Sequence, residues 1–135
     1  GVLDLVTGQF DFVNAGHEPP FLAKGKEGYA PCRFHAGFVL AGMEDTKYRA
    51  GSMQLMPGDR IFLYTDGVTE ATNADEEFYG TGRLQEVLCR NGGKSPEELL
   101  LAVKADLDDF VGKASQFDDI TMLCVTYRQS MPAGQ

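Results

Sequence analysis

The sequence predicts one α+β domain in which helices pack on a largely antiparallel sheet. In the first half of the 135 residues, short apolar runs alternate with polar residues and end at Gly, Pro or Asn, a pattern typical of strands. In the second half, apolar residues recur every three or four positions in two segments, which predicts helices. A last apolar run, residues 120–125, has strand character. Strands, then helices, then a final strand indicate a layered α+β fold, and the length suits a single domain.

The strands of the first half are predicted from apolar alternation between turn residues. Thr7-Gly8 separates the first two runs and predicts a two-residue hairpin turn. Pro19-Pro20 ends the pairing of the second run, because proline cannot donate to a ladder. Pro57-Gly58 predicts a turn that leads into the central apolar run. The predicted strands are residues 2–6, 9–14, 21–23, 48–55 and 61–64.

Two helices are predicted in the second half. The first covers residues 82–90 and ends before Gly92-Gly93. The second begins at Ser95, because Ser95, Pro96 and Glu98 have the spacing of a capping box with proline in the first turn. Its apolar stripe comprises Leu100, Val103, Leu107 and Phe110. The acidic positions interpreted as solvated helix faces are Glu97, Glu98, Asp106, Asp108 and Asp109.

The composition indicates which classes of partner and which cellular compartment to expect for this protein. Twenty acidic against twelve basic residues give a net charge of −8, and no basic cluster is present, so we expect no nucleic-acid partner. The apolar runs are only five or six residues long, so no membrane span is expected in this chain. Three cysteines without metal-ligand spacing fit free thiols in a reducing compartment. The predicted localisation is therefore cytoplasmic.

Acidic residues at the ends of two apolar runs are the strongest functional feature. Asp66 follows the run 60–64, and Asp118 with Asp119 precedes the last run. Carboxylates at two neighbouring strand ends would form an all-oxygen site suited to Mg²⁺ or Mn²⁺. The alternative is that each aspartate ends a strand and begins a turn. A β-rich binding module without metal is a further alternative, but it does not explain aspartates at both strand ends.

The chain contains four short motifs with a recognisable order. They are Asn-Ala-Gly-His with Pro-Pro (14–20), Pro-Gly-Asp (57–59), Tyr-Thr-Asp-Gly-Val-Thr-Glu-Ala (64–71), and Gln116 followed by Asp-Asp-Ile-Thr (118–121). In sequence and order they resemble the SpoIIE/RsbU branch of the metal-dependent protein serine/threonine phosphatases (the PPM superfamily), and the resemblance extends over residues 14–125. It implies an antiparallel β-sandwich flanked by helices, with divalent metals at one end of the sandwich.

The resemblance also implies roles for single residues. Asp66 and Asp118 would be side-chain ligands of one metal and hence catalytic, and Asp119 an outer-shell partner or the ligand of a weaker extra metal. Divalent ions suit phosphate monoester hydrolysis because they activate the nucleophile and neutralise phosphoryl charge. His17 is either structural or a pH-responsive group near the site, and Glu70 caps the turn or orients water. The near-site or structural residues are Asn14, Gly16, His17, Gly67, Glu70 and Thr121.

If Asp66 and Asp118 share a metal, their carboxylates must converge. We expect them on neighbouring strands of one sheet, with their nearest oxygens about 3–7 Å apart. Asp119 should point away from Asp118, because adjacent strand residues face opposite sides.

One family motif is missing. An upstream aspartate should bridge two Mn²⁺ or Mg²⁺ ions in the complete domain, and the thirteen residues before Asn14 contain no match. The chain also starts at Gly1 within an alternating run. We therefore expect residues 1–128 to be the C-terminal part of the catalytic domain, truncated at the N-terminus and inactive alone, followed by a polar tail over 129–135. A severed strand would leave an open sheet edge that permits self-association.

The predicted function is a phosphatase acting on phosphoserine or phosphothreonine. The resemblance suggests that its substrate is a phosphorylated anti-anti-sigma-type regulator in bacterial stress or developmental signalling, with sensor domains upstream in the full protein. The alternative is a catalytically degenerate domain that keeps the fold and binds a partner. A bridging aspartate encoded upstream would favour the enzyme.

Overall fold

The structure is a computed structural model that describes residues 1–32, 37–114 and 118–128. The predicted tail and Gln116 lie outside these ranges. The elements, in chain order, are β1 (Val2–Leu3), β2 (Gln9–Val13), β3 (Phe21–Ala23), β4 (Ala30–Pro31), β5 (Ala50–Gln54), β6 (Arg60–Tyr64), α1 (Asp66–Thr69), α2 (Gly80–Arg90), α3 (Pro96–Val111) and β7 (Met122–Thr126). None of the helices in the described ranges combines the length and apolar character needed to cross a bilayer.

The strands form two antiparallel sheets. The first sheet has the order β1-β2-β5 and the second has the order β4-β3-β6-β7. Every pairing between these strands is antiparallel. The helices pack on the second sheet, and α3 contacts β7. The predicted α+β fold, an antiparallel sandwich flanked by helices, is confirmed.

Strand β6 contributes side chains to two hydrophobic clusters, because successive side chains of a strand point to opposite faces of the sheet. Phe62 and Tyr64 are buried against α2 and α3. Ile61 and Leu63 pack in the smaller cluster between the two sheets, which also contains Leu55. A sheet with one face on helices and the other on a second sheet explains why the run is apolar at successive positions.

The N-terminal hairpin differs from the prediction. Strand β1 ends at Leu3, and the turn is a five-residue loop, residues 4–8, instead of Thr7-Gly8 alone. The Asp4 carboxylate accepts hydrogen bonds from the backbone N–H groups of Val6 (2.8 Å) and Thr7 (2.9 Å). These bonds offer the backbone a local alternative to strand pairing, so the chain turns earlier than apolar alternation indicates.

Both predicted helices are present. The capping box is confirmed: the Ser95 hydroxyl accepts from the Glu98 N–H, and the Glu98 carboxylate accepts from the Ser95 N–H. Leu84, Val87 and Leu88 of α2 are buried as predicted. In α3 the buried stripe begins at Leu99 and continues through Val103 and Leu107, whereas Leu100 and Phe110 are only partly buried.

Asp106 is not part of a solvated face. The Tyr79 hydroxyl and the Arg83 Nε each donate to its Oδ2 at 2.8 Å. The hydrogen bond from Arg83 is the main reason that the pKa of the Asp106 carboxyl lies below its usual value. Arg83 also stacks over the Tyr79 and Phe110 rings. This cluster joins α2 to α3 and holds the helical layer over the second sheet.

The carboxylate of Asp59 joins two turns of the fold. It is 3% exposed, and its two oxygens accept from the backbone N–H groups of Gly25 (2.8 Å) and Met56 (2.9 Å). The turn after β3 is therefore tied to the turn that begins β6. In the motif at residues 57–59, the aspartate therefore has a structural role, and it lies at the opposite end of β6 from Asp66.

Replacing Asp59 with asparagine should destabilise the fold by about 1–3 kcal/mol, because the amide NH₂ cannot accept one of the two backbone N–H bonds. Chemical denaturation of Asp59→Asn measures this loss. Asp75→Asn, at an exposed loop position, makes the same change in charge and should stay within about 0.5 kcal/mol of wild type. Equal stability of the two variants would contradict the role of the Asp59 carboxylate in joining the two turns.

Candidate metal centre

Three chain segments meet at one end of the second sheet. Asp66 follows β6, and Asp118 with Asp119 precedes β7. Tyr64 pairs with Met122 in an antiparallel ladder, so the end of β6 and the start of β7 lie at the same sheet edge. Phe21 pairs with Phe62, so the segment that enters β3, residues 14–20, arrives at that edge too. The strands next to the two aspartates are therefore neighbours in one sheet, as expected, but Asp66 itself is the first residue of α1 and Asp118 lies four residues before β7.

Thr65 connects the two aspartate segments. Its backbone N–H donates to the Thr121 carbonyl (3.0 Å), and its hydroxyl donates to the Asp119 carbonyl (3.0 Å). The Thr121 N–H in turn donates to the Thr65 hydroxyl (3.0 Å). The contact between β6 and β7 therefore continues past the last ladder pair and reaches the backbone of the acidic segment.

Gly67 allows the backbones on either side to approach closely. A Cβ at this position would lie 2.4 Å from the Asp119 carbonyl oxygen and 3.5 Å from the Asp118 carbonyl carbon. No L-residue with a side chain fits there without a backbone shift. Because Gly67 directly follows Asp66, this contact places Asp66 beside the Asp118–Asp119 peptide.

The acidic side chains at this edge are exposed, and a backbone N–H orients a carboxylate oxygen of Asp66 and of Asp118. Asp66 Oδ1 accepts from the Gly67 N–H (3.0 Å), and Asp118 Oδ1 accepts from the Asp119 N–H (2.7 Å). Carboxylate oxygens at an accessible edge fit the preference of Mg²⁺ and Mn²⁺ for hard ligands. The described residues contain no group of three or more His, Cys, Asp or Glu side chains gathered as around a metal ion. Asp66 and Asp118 therefore fit part of a ligand set, and the separation of their oxygens stays a prediction.

The Asn14–His17 motif forms a closed turn. Asn14 Oδ1 accepts from the His17 N–H (2.8 Å), and its Nδ2 donates to the His17 carbonyl (2.9 Å). Gly16 has φ +86°, and a Cβ there would lie 2.9 Å from the Val39 Cα. Asn14 and Gly16 therefore shape the turn. The His17 side chain is exposed, and its Nδ1 lies 3.1 Å from the Glu18 carbonyl oxygen.

His17 borders a cleft of about 230 Å³ between the two sheets. The cleft walls are mostly apolar and include Phe10 from the first sheet and Leu63 from the second, with Asn14 and Glu18 among the polar residues. Burial, and after it the negative charge of Glu18, raises the pKa of the Tyr64 hydroxyl to about 12. Glu18 lines the same cleft as Leu63 of β6.

The sequence predicts a role for Glu70 near the site but none for Thr65. Glu70 ends α1, and its backbone N–H, donating to the Asp66 carbonyl (2.8 Å), makes the cap. Sequence reasoning missed Thr65. Its only sequence indication is its place between an apolar run and Asp-Gly, and that pattern does not show which distant groups a hydroxyl contacts.

Residues 1–128 match the family described as Stage II sporulation protein E (SpoIIE). The chain belongs to the SpoIIE family. The resemblance drawn from the four motifs is therefore confirmed, and it places the chain in the SpoIIE/RsbU-like branch of the PPM phosphatases, within the catalytic domain.

Relatives of known name are much longer than this chain. It is 36% identical over 125 residues to Protein IcfG of Synechocystis, covering 93% of the chain and 19% of that protein. It is 30% identical over 118 residues to the phosphoserine phosphatase RsbU of Bacillus subtilis, covering 85% of the chain and 34% of that protein. The chain thus spans about a fifth to a third of these relatives.

The fold recurs in a solved phosphatase domain. The phosphatase domain of SpoIIE from Bacillus subtilis, in a form described as Mn presoaked, superposes with a TM-score of 0.68. The alignment covers 98% of this chain and 57% of that one at 18% identity. At this identity the likeness concerns the fold, and it agrees with the antiparallel sandwich described above.

Replacing Gly67 with alanine should destabilise the fold by about 1–3 kcal/mol, because the new Cβ overlaps the Asp119 carbonyl and separates the two strand ends. Gly82→Ala is the matched control: it lies in α2, and a Cβ there meets nothing within 4 Å. That substitution should stabilise the protein by about 0.4–1 kcal/mol. Denaturation curves of both variants measure the difference, and a neutral Gly67→Ala would disprove the close approach.

Proposed function

We propose that this chain is the C-terminal part of the catalytic domain of a metal-dependent phosphatase that acts on phosphoserine or phosphothreonine in a protein. The observation that carries the proposal is the juxtaposition of Asp66 with the Asp118–Asp119 segment at one sheet edge, joined by the bonds of Thr65. Membership of the SpoIIE family, and the name phosphoserine phosphatase of the relative RsbU, support the reaction class.

Asp66 and Asp118 would hold a Mn²⁺ or Mg²⁺ ion through carboxylate oxygens. When bound, the ion would act as a Lewis acid that neutralises charge on the phosphoryl oxygens. Asp119 serves as an outer-shell partner or as the ligand of a weaker extra metal. The Mn presoaked form of the SpoIIE phosphatase domain is in keeping with this choice of ion. In the complete domain a second ion and an upstream bridging aspartate would complete the centre.

The remaining residues of the site shape its loops. Asn14 and Gly16 form the turn that carries His17, and we assign His17 a structural role at the rim of the site. Gly67 and Thr121 bring the acidic segments together, and Glu70 ends the helix that begins at Asp66. The exposed carboxylates at this edge leave the phosphate group of a protein substrate free access.

The substrate we propose is a phosphorylated anti-anti-sigma-type regulator in bacterial stress or developmental signalling, acted on in the cytoplasm. This assignment comes from the resemblance to the RsbU branch. From the same resemblance we propose that sensor domains upstream in the full protein control the activity.

Asp66→Asn in the protein at its natural length should lower Mn²⁺-dependent hydrolysis of an aryl phosphate about 100-fold or more, because an amide replaces a charged metal ligand. Steady-state rates across a Mn²⁺ titration measure this. The control Asp75→Asn removes an exposed loop carboxylate and should retain full activity. Full activity of Asp66→Asn would end the assignment.

The same assay separates the proposal from its alternative. The 135-residue chain by itself should show negligible hydrolysis, since its described residues supply only part of a metal ligand set. A natural-length protein that is inactive in Mn²⁺ and Mg²⁺, yet binds a protein partner, would identify the catalytically degenerate regulatory module instead.

We also propose that the isolated chain self-associates. Within the described residues β1 and β7 are outer strands, one in each sheet, and Leu123 on β7 is 53% exposed. Outer strands present unpaired backbone groups that can pair with another chain. Light scattering should detect species larger than the monomer, and Leu123→Lys should reduce them. Met56→Lys, at an exposed turn position, is the control. A monomeric wild-type chain would contradict this proposal.

A further inference from the structure

We propose that Thr65 is a positioning residue of the candidate metal centre, whose hydroxyl fixes the Asp118–Asp119 segment relative to Asp66. The proposal rests on the proposed function, since it concerns the same site. Thr65 does not ligate the metal in this proposal. It acts through the backbone of the residues that do.

The contacts of Thr65 lie where regular pairing has stopped. The β6–β7 ladder ends at the pair Tyr64 and Met122, so residues 118–121 are held by other bonds. The Thr65 hydroxyl donates to the Asp119 carbonyl and accepts from the Thr121 N–H, each at 3.0 Å. A single side-chain oxygen therefore fixes a carbonyl and an amide on either side of residue 120.

A second contact restricts the position of the same Asp119 carbonyl. The Asp119 carbonyl that accepts from Thr65 is also the group that faces Gly67 at close range. Thr65 and Gly67 flank Asp66, so the peptide of Asp119 is held from both neighbours of that residue. Turning this peptide would move the Asp118 and Asp119 side chains relative to Asp66.

The chemistry requires a hydroxyl. Valine has the shape of threonine but can neither donate to the carbonyl nor accept from the amide, whereas serine retains both capacities. Groups that orient metal ligands without touching the metal typically change metal affinity about 10–100-fold when they are removed. The role of Thr65 is therefore visible in metal binding itself, without any substrate.

The experiment measures Mn²⁺ binding to the natural-length protein by the electron paramagnetic resonance signal of free Mn²⁺. Thr65→Val should weaken the affinity about 10-fold or more, and Thr65→Ser should stay within about threefold of wild type, because its hydroxyl keeps both bonds. Thermal unfolding identifies a temperature at which every variant is folded, so that lost stability does not lower the apparent affinity. If Thr65→Val does not fold, Thr65→Ala provides the same deletion of the hydroxyl.

The matched control is Thr126→Val. Thr126 lies on β7, and its buried hydroxyl has no hydrogen-bond partner among the described residues, so the same substitution there should leave Mn²⁺ affinity unchanged.

Asp66→Asn tests the metal centre itself and should weaken binding. Unchanged binding in Asp66→Asn would overturn the metal site and, with it, the role of Thr65. Weakened binding in Asp66→Asn with unchanged binding in Thr65→Val would overturn the role of Thr65 alone. So would a Thr65→Ser variant as weak as Thr65→Val, or an equal loss in Thr126→Val.

Discussion

The antiparallel pairing of β6 with β7 is the constraint on which the rest of the structure depends. It joins residues 60–64 to residues 122–126, and α1, α2 and α3 lie between these strands along the chain. The pairing places α2 and α3 on one face of the second sheet, where Phe62 and Tyr64 are buried. It also brings the end of one strand beside the start of the other, which is why aspartates distant in sequence share one edge.

The acidic residues divide into two groups by what their oxygens contact. Asp4, Asp59 and Asp106 each accept two or more hydrogen bonds from nearby groups, and these bonds shape a loop, join two turns or connect two helices. Asp66 and Asp118 are exposed, and an oxygen of each accepts from the N–H of the next residue. The first three carboxylates stabilise the fold, and the exposed carboxylates of Asp66 and Asp118 are those that we propose as cation ligands.

The residues of the candidate site lie on connecting segments, directly next to a strand that packing holds in place. The second sheet is buried on both faces at β6, and such a strand is held firmly by packing. The acidic segments begin where that packing ends, and Thr65 with Gly67 continues the constraint for a few residues more. The proposed phosphatase site would use this combination, because its ligand oxygens would have to be oriented and yet remain accessible to a protein-borne phosphate.

The sequence by itself determined the features that depend on local patterns. The apolar runs of β6 and β7, the capping box at Ser95 and the aspartates at strand ends follow from residues close together in the chain, and the family motifs identified the branch. Only the tertiary structure decided that β1 stops at Leu3, that Asp106 joins two helices, and that the Thr65 hydroxyl contacts residues 119 and 121. These features depend on side-chain hydrogen bonds, most of them between residues that lie far apart in sequence. Apolar periodicity reports which face of an element is buried, but it carries no information about which polar groups meet.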